Sequence, residues 1–198
     1  MSLAYGDTKD SLNNRKNFLK ALSIDYGNLV CAEQVHGATI HYVRETDRGR
    51  GALSADTAIP STDALITDKK NLPLAVFTAD CLSVFLYDPR KNAIGVVHAG
   101  WRSSREEIAL KTVRLMQEKF QAEPEDILAG FGPAIRECCY HLDLVGSNKK
   151  QLLSSGVKET NISDCGICTV CKNSEYFSYR KEKDAAGRMI SLILLKDA

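Results

Sequence analysis

The sequence predicts an α+β fold, a single-domain mixed-sheet α/β sandwich, and two observations lead to this prediction. Short apolar runs rich in β-branched and aromatic residues, each bounded by Gly, Pro, Asp or Asn, are typical of strands. Other segments repeat their apolar residues at helical spacing. Because the order along the chain is strands, helix, strand, helix and strand, an α+β sandwich accounts for it.

The bulk composition limits the class of protein. The 198 residues, 44% of them apolar, suit one large domain over residues 1–198 with a substantial core. A net charge of +1 lacks the basic excess that nucleic-acid binding needs, so we expect no nucleic-acid partner. No apolar run approaches the roughly 18 residues of a membrane span, and the start has no apolar signal core. We therefore expect a cytoplasmic protein without a membrane partner, whose seven cysteines are reduced.

The first half of the chain predicts one helix and six strands. "SLNNRKNFLKALS", residues 11–23, has a polar start followed by apolar Phe18, Leu19 and Leu22, which favours a helix. The predicted strands are "LVCAEQV", "TIHYVRE", "DALIT", "LAVFTAD", "LSVFLYD" and "AIGVVHA". The polar, glycine-containing residues 44–63 are interpreted as an excursion of this domain and not as a domain boundary.

The second half predicts a long amphipathic helix over residues 103–121. Its apolar positions recur at helical spacing, and Ser103 or Ser104 could cap its start. After it, "DILAGFG" predicts a strand, residues 148–155 predict a helix, and "RMISLILL" predicts a final strand.

Three polar residues stand at the ends of predicted strands, where a plain core would continue in valine or leucine. They are His36 in "EQVHGA", Cys81 in "FTADCLS" and His98 in "VVHAGW". One thiolate and two imidazoles suit Zn²⁺ and leave a fourth position open, as in catalytic sites, and the same set could hold copper. No local ligand motif such as H-E-x-x-H accompanies them, so a hydrogen-bonded core histidine or an inert buried thiol stays open for each.

The same atoms could act without a metal. Cys81 could be a nucleophile whose thiolate is favoured by His98, with Asp80 or a backbone carbonyl orienting the imidazole. Both alternatives need the cysteine and a histidine within reach of each other. The sequence does not separate them, whereas a metal analysis would.

Two arginines are candidates for anion binding. Arg102 follows His98 by four residues and Arg180 lies in "FSYRKEKD", and either planar guanidinium could clamp a phosphate or carboxylate. An ordinary surface or ion-paired role stays open for both. Trp101 is interpreted as a core residue and not as a stacking platform.

A second cysteine cluster lies in "CGICTVC", with Cys165, Cys168 and Cys171. Its spacing resembles that of iron–sulfur and zinc loops, but no fourth ligand follows it, although Cys138 and Cys139 could complete a set. Because Cys packs readily as a small apolar residue, we expect reduced, partly buried thiols. We expect no iron–sulfur cluster and no tetrahedral zinc at this cluster.

The motifs "QVHG", "TADC", "VHAGWR", "GPAI" followed by "CCY", and "FSYR" followed by "GR" occur in this order. With them the sequence resembles the laccase-domain family, which is also named for polyphenol oxidase and for purine nucleoside phosphorylase activity (YfiH-like proteins). The resemblance runs from about residue 3 to residue 195. It implies a sandwich related to the toxin-type cysteine hydrolases. It also implies one metal, usually zinc with copper as the alternative, held by His36, Cys81 and His98. One Cys-His-His set cannot build the several copper centres of a true laccase.

The resemblance further implies the reaction. We expect phosphorolysis of adenosine, inosine, guanosine and methylthioadenosine-type nucleosides, with deamination of adenosine, by a monomer whose partners are nucleoside and phosphate. The metal would lower the pKa of a water molecule toward ~7, and Arg102 and Arg180 would hold phosphate. Cys81, Asp80 and Arg102 form the expected catalytic set, Asp80 either transferring a proton or supporting a ligand imidazole.

Two other classes of function stay open. One is a copper-dependent polyphenol oxidoreductase. The other is a non-catalytic protein, because the segment that family members usually carry before the "LAYGD" region is not in this sequence and could complete the pocket.

Overall fold

The computed structural model describes residues 1–4 and 7–197. The helices are α1 (Thr8–Ala21), α2 (Trp101–Arg105), α3 (Ile108–Phe120), α4 (Leu144–Ser154) and α5 (Tyr179–Glu182). The strands are β1 (Val30–Cys31), β2 (Ile40–Tyr42), β3 (Ala64–Thr67), β4 (Leu74–Thr78), β5 (Leu82–Asp88), β6 (Ala93–Ala99), β7 (Leu128–Phe131), β8 (Ile162–Asp164) and β9 (Met189–Ile193). Short 3₁₀ turns occupy several connections. No helix in the described part of the chain is long and apolar enough to cross a membrane.

The strands form two mixed sheets. The large sheet has the order β2-β3-β6-β5-β7-β8, and the small sheet has the order β1-β4-β9. The pairs β2–β3, β7–β8 and β1–β4 are parallel, whereas the remaining neighbours are antiparallel. This architecture confirms the predicted α+β sandwich. Its relation to the toxin-type cysteine hydrolases stays a prediction.

Alternation along β4 explains why the small sheet is buried on both faces. Successive side chains of a strand point to opposite faces. Leu74 and Val76 therefore pack between the two sheets, while Ala75 and Phe77 pack on the other face beside Leu19 of α1. The small sheet thus lies between α1 and the large sheet.

The large sheet is covered on its far side by helices. Ala93 and Val97 of β6 pack with Val113 and Met116 of α3 in one buried cluster that also includes Leu152 of α4. Four layers result, in the order α1, small sheet, large sheet, and α3 with α4. This sandwich presents the ends of several strands at one edge, where the candidate site lies.

Strand prediction succeeds best where apolar runs are sharply bounded. β5 and β6 match the predicted runs residue for residue, whereas other strands are shorter than predicted and β1 has only two residues. The strand β8 is not predicted, because two of its three residues are exposed and no apolar run marks it. The first predicted helix is confirmed; α1 begins earlier, at Thr8, because the Asp7 side chain accepts the Asp10 N–H at 2.9 Å and caps it.

The prediction of one helix over residues 103–121 is wrong. The chain forms α2 and α3, separated by a break at which Glu107 has a left-handed φ of 60°. Ser103 and Ser104 do not cap a helix but are buried inside α2, which begins directly after Gly100.

Polar side chains of α4 satisfy the backbone groups at this break. Gln151 donates from Nε2 to the Ser104 carbonyl at 2.7 Å and accepts the Ala109 N–H at 3.1 Å. Asn148 Nδ2 donates to Ser104 Oγ at 2.7 Å. The Ser104 carbonyl also accepts the Glu107 N–H at 3.1 Å, so Gln151 supplies the partner of the Ala109 N–H and a further hydrogen bond to Ser104 at this break. α4 itself begins at Leu144, earlier than predicted.

Three segments at one edge of the sandwich carry the predicted metal ligands. His36 lies in the loop between β1 of the small sheet and β2 of the large sheet, with a left-handed φ of 61°. Cys81 follows Asp80, which has φ 84°, in the tight connection from β4 to β5. His98 is the penultimate residue of β6, just before Gly100 and α2.

Candidate metal centre and its cavity

The structure brings His36, Cys81 and His98 together. One nitrogen of each imidazole and the Cys81 Sγ all lie within 4.8 Å of one another. The centroids of the two imidazole rings are 4.7 Å apart, with the ring planes at 76°. The three donors are of the types that zinc and copper bind, so the donor set fits a single metal ion.

Electrostatics at this set favour the ligand form of the cysteine. Burial raises the pKa of the Cys81 thiol, but the charge of His98 and hydrogen bonds from both imidazoles outweigh it and lower the pKa to about 6. Burial lowers the pKa of His98, but the Cys81 thiolate and Asp63 raise it to about 9. A thiolate is the form of cysteine that binds metals and attacks electrophiles.

Asp63 orients both histidines, and sequence reasoning missed it. Its carboxylate is fully buried, and its Oδ1 lies 2.7 Å from His98 Nδ1. This contact leaves Nε2 of the same ring available to a metal ion. The same carboxylate accepts the backbone N–H groups of Val35, His36 and Gly37 at 3.2, 3.0 and 2.8 Å. Burial raises the pKa of Asp63, but these hydrogen bonds hold it below its ordinary value. In the sequence Asp63 marks only the start of a strand.

Asp80 does not contact the imidazoles through its carboxylate, contrary to the expectation that it supports one of them. Its Oδ1 accepts the Thr169 hydroxyl at 2.6 Å, and its Oδ2 accepts the Arg180 backbone N–H at 2.6 Å. The supporting role on the His98 ring belongs to Asp63. Asp80 instead ties the segment next to Cys81 to two distant parts of the chain.

The metal set opens into a cavity of about 880 Å³. This volume lies in the range of roughly 300–1,000 Å³ that is typical of small-molecule sites. The wall includes aromatic side chains, among them Trp101, Tyr140 and Tyr179, and basic side chains, among them Arg180. Trp101 is 44% exposed, so its interpretation as a core residue is wrong.

The two candidate arginines differ in position. Arg180 lines the cavity, and its Cζ lies 5.1 Å from the centroid of the Tyr140 ring. Among the described residues, no carboxylate or other acceptor pairs with its guanidinium, so its donors are available to an anion. Arg102 is not among the lining residues; it is exposed, and its Cζ lies 5.2 Å from the Trp101 ring. The geometry therefore favours Arg180 as the anion ligand.

Gly100 leaves the space that the ligands occupy. A Cβ atom at this position would lie 3.0 Å from His36 Cδ2 and 3.2 Å from Cys81 Sγ. Its φ of −78° is open to any residue, so the need for glycine comes from this close approach and not from backbone strain.

Gly100→Ala is expected to weaken metal binding at this centre about 10- to 100-fold, as loss of a residue that orients a ligand does. The added methyl group pushes His36 and Cys81 apart. A zinc competition titration measures the change. Gly130→Ala is the matched control, since its Cβ would meet Ser163 Oγ at 3.6 Å, an ordinary contact. Equal affinity in the two variants would contradict the assignment.

Four other cysteines form a second set. The Sγ atoms of Cys138, Cys139, Cys168 and Cys171 lie within 4.8 Å of one another, and Cys165 is not part of the set. No fourth ligand follows "CGICTVC" in the sequence, but the alternative that Cys138 and Cys139 complete a set agrees with this grouping, in which Cys165 takes no part.

Comparison with known proteins places the chain in a family. The family described as multi-copper polyphenol oxidoreductase laccase matches residues 1–143 and 140–196. "Purine nucleoside phosphorylase YlmD" of Geobacillus stearothermophilus is 35% identical over 224 residues, which cover 98% of this chain and 82% of that protein. "Adenosine deaminase RL5", from an unknown prokaryotic organism, is 26% identical and covers 93% of this chain and 82% of its own length.

A solved structure agrees with the sequence relatives. The crystal structure of YlmD from Geobacillus stearothermophilus superposes with a TM-score of 0.94 at 34% identity, covering 96% of this chain and 82% of that one. The match extends over nearly the whole chain, both in sequence and in fold. The chain belongs to the laccase-domain, YfiH-like family.

Proposed function

We propose that the chain is an enzyme, a zinc-dependent purine nucleoside phosphorylase that also deaminates adenosine. Its substrates would be adenosine, inosine, guanosine and methylthioadenosine-type nucleosides, together with phosphate. The observation that carries the proposal is the convergence of His36, Cys81 and His98 on a cavity that also presents Arg180 and several aromatic rings. The names of the relatives supply the substrate class.

His36, Cys81 and His98 would hold the metal, with zinc favoured and copper as the alternative. When bound, such an ion supplies a Lewis acid and activates water. The residues of the chain set the geometry. Asp63 fixes the His98 ring through Nδ1 and holds the loop of His36 through backbone hydrogen bonds. Gly100 keeps the space between His36 and Cys81 clear.

Arg180 would bind phosphate. Its guanidinium lies over the Tyr140 ring, which restricts its orientation, and its backbone N–H is fixed by Asp80. A planar guanidinium held in this way can donate two parallel hydrogen bonds to phosphate oxygens. Asp80 acts here as a positioning residue, because both of its carboxylate oxygens already accept hydrogen bonds at 2.6 Å. A proton-transfer role for Asp80 would require it to release one of them.

The aromatic rings of the cavity would hold the purine base. Trp101 and Tyr179 line the cavity and are 44% and 47% exposed. Arg102 lies over the Trp101 ring, and Lys183 and Arg188 lie over the Tyr179 ring, so a base would stack on the ring surface that these cations leave open. Stacking of a base on such a ring contributes about 1–3 kcal/mol in nucleic-acid-binding proteins.

Arg180→Ala is expected to weaken phosphorolysis about 10- to 100-fold while sparing deamination, which needs no phosphate. Loss of charge-assisted hydrogen bonds worth roughly 1.5–3 kcal/mol accounts for this range. Steady-state rates with a nucleoside panel, in the presence and absence of phosphate, measure both reactions. The prediction that Arg102 binds phosphate requires the same selective loss in Arg102→Ala, so the two variants are compared directly. Equal losses of both reactions in Arg180→Ala would remove its phosphate role.

A second candidate function is a metal-free hydrolase with a Cys81 nucleophile. The observation that favours it is the chain of contacts from Asp63 to His98 and from His98 to Cys81, which resembles the nucleophile, base and orienting acid of Cys-His enzymes. Treatment with a chelator separates the candidates, since only the metal-dependent enzyme loses turnover and regains it when zinc is restored.

Activity assays on the same purified protein test the remaining alternatives. A copper-dependent polyphenol oxidoreductase would oxidise phenols with copper and not with zinc, and a non-catalytic protein would turn over neither nucleosides nor phenols. That the protein is a cytoplasmic monomer without nucleic-acid or membrane partners stays a prediction.

A further inference from the structure

We propose that Cys138, Cys139, Cys168 and Cys171 bind one Zn²⁺ ion as a structural tetrathiolate site, separate from the centre at His36, Cys81 and His98. The four Sγ atoms lie within 4.8 Å of one another. Cys171 Sγ lies 3.7 Å from Cys138 Sγ and 3.5 Å from Cys139 Sγ. Tetrahedral zinc with Zn–S bonds of about 2.3 Å requires sulfur atoms about 3.8 Å apart.

The topology of the large sheet explains how two distant cysteine pairs meet. β7 and β8 are parallel neighbours, so the segments that follow them leave the sheet at the same edge. The first segment, residues 132–140, carries the adjacent pair "CC". The second, residues 165–173, carries the C-x-x-C pair Cys168 and Cys171.

Hydrogen bonds already hold these two segments together. The Ala134 N–H donates to the Ile167 carbonyl at 3.2 Å, and the Thr169 N–H donates to the Ala134 carbonyl at 3.1 Å. Arg136 forms a bidentate ion pair with Asp164 at 2.7 and 2.6 Å. The thiols are therefore brought together by the backbone and by this ion pair, which lowers the ordering cost of binding an ion.

The four thiols differ in their exposure to solvent. Cys168 is buried, whereas Cys138 and Cys171 are exposed, so an ion can reach the site from solvent.

The spacing favours one ion over other uses of four thiols. In an iron–sulfur cluster the thiolates are spread over different iron atoms, whereas these four Sγ atoms lie within 4.8 Å of one another, close enough to share one ion. A disulfide needs two sulfur atoms about 2.05 Å apart, and Cys171 is nearly equidistant from two adjacent cysteines. Four soft sulfur ligands around one point are typical of zinc.

This site would support one wall of the cavity. The Ile135 N–H, in the first segment, donates to the Asp80 carbonyl at 2.8 Å, and the Thr169 hydroxyl, in the second, donates to the Asp80 carboxylate at 2.6 Å. Ile135 and Asp80 line the cavity. An ion that joins the two segments thus steadies the residue that precedes Cys81 in the chain.

Elemental analysis of protein purified from zinc-supplemented medium without a chelator tests this proposal. We expect two zinc equivalents per chain, one of which is lost in Cys171→Ser and retained in Cys81→Ser. Cys165→Ser is the matched control, because this exposed thiol in the same segment lies outside the set, and it should retain both equivalents. We also expect the thermal midpoint of Cys171→Ser to fall and to become insensitive to added zinc.

A second measurement keeps the proposal open to failure if Cys171→Ser does not fold. Cys81→Ser protein loaded with Co²⁺ should show the intense visible bands of a cobalt tetrathiolate. Absence of those bands, a second zinc equivalent that survives in folded Cys171→Ser, bound iron in place of zinc, or disulfides between these cysteines would each overturn the proposal. None of these readouts depends on nucleoside turnover. If the centre at His36, Cys81 and His98 holds no zinc, the expected total falls to one equivalent, which is still lost in Cys171→Ser and retained in Cys81→Ser, so the two failures are distinguishable.

Discussion

Replacing Cys81 with alanine is expected to abolish both phosphorolysis and deamination and to remove the metal of the Cys-His-His centre. Cys81 is the softest donor of the set, and its thiolate is favoured by His98. If one site performs both reactions, its loss stops both. Steady-state rates for the two reactions, with zinc content measured on the same preparation, check this result.

Cys165→Ala is the control for the Cys81 experiment, since this thiol is exposed and belongs to neither cysteine-containing set. It should keep both activities and the full zinc content. Unchanged turnover in Cys81→Ala would remove the metal centre from the mechanism. Loss of turnover with the full zinc content retained would favour the nucleophile role of Cys81.

Asp63→Asn is expected to lower the free energy of unfolding by about 3–5 kcal/mol, the usual cost of breaking a buried charged pair. It should also weaken zinc binding about 10- to 100-fold. The fully buried carboxylate accepts hydrogen bonds from the His98 imidazole and from three backbone N–H groups. An amide has a single acceptor oxygen, and its NH₂ group would face another donor. Chemical denaturation and zinc titration measure the two effects.

Asp68→Asn is the matched control for this second variant, because Asp63 and Asp68 flank the same strand. Asp68 is half-buried and accepts the Tyr42 hydroxyl at 2.8 Å at the edge of the sheet. Its substitution should cost at most about 1 kcal/mol, as at a partly exposed pair, and leave zinc binding unchanged. If Asp63→Asn is as mild as Asp68→Asn, Asp63 does not hold the centre together.

The sequence could predict the three candidate metal ligands because these residues interrupt apolar runs. His36, Cys81 and His98 stand where β-strands end, and the family motifs contain all three. In the structure the three side chains lie close together, as a single metal ion would require. The sequence does not single out Asp63, because an aspartate before a buried strand is an ordinary boundary residue. Its hydrogen bond to His98 joins residues 35 positions apart.

The break between α2 and α3 has no local signal either. The apolar spacing continues through it, and Glu107 is not a residue type that usually adopts a left-handed conformation. The break persists because Gln151, more than 40 residues along the chain, pairs with the backbone groups on both sides. A hydrogen bond between such distant residues cannot be predicted from the local sequence around the break.

The second cysteine set shows how one missed strand hides a site. "CGICTVC" alone supplies a C-x-x-C pair, and the adjacent Cys138 and Cys139 are about 30 residues away. Only the parallel pairing of β7 with β8 places the two segments side by side. Because β8 has no apolar run, the pairing could not be predicted, and the sequence offered Cys138 and Cys139 only as residues that could complete a set.

The ligands His36 and Cys81 both lie where the chain passes from the small sheet to the large one, and His98 ends a strand of the large sheet. Neither sheet by itself contains the complete set, so the centre forms only after the two sheets have docked. An ion at this centre would therefore bind only the docked state. Such an ion would add its binding free energy to the association of the two sheets, so the metal concentration would also set the fraction of the chain that is folded.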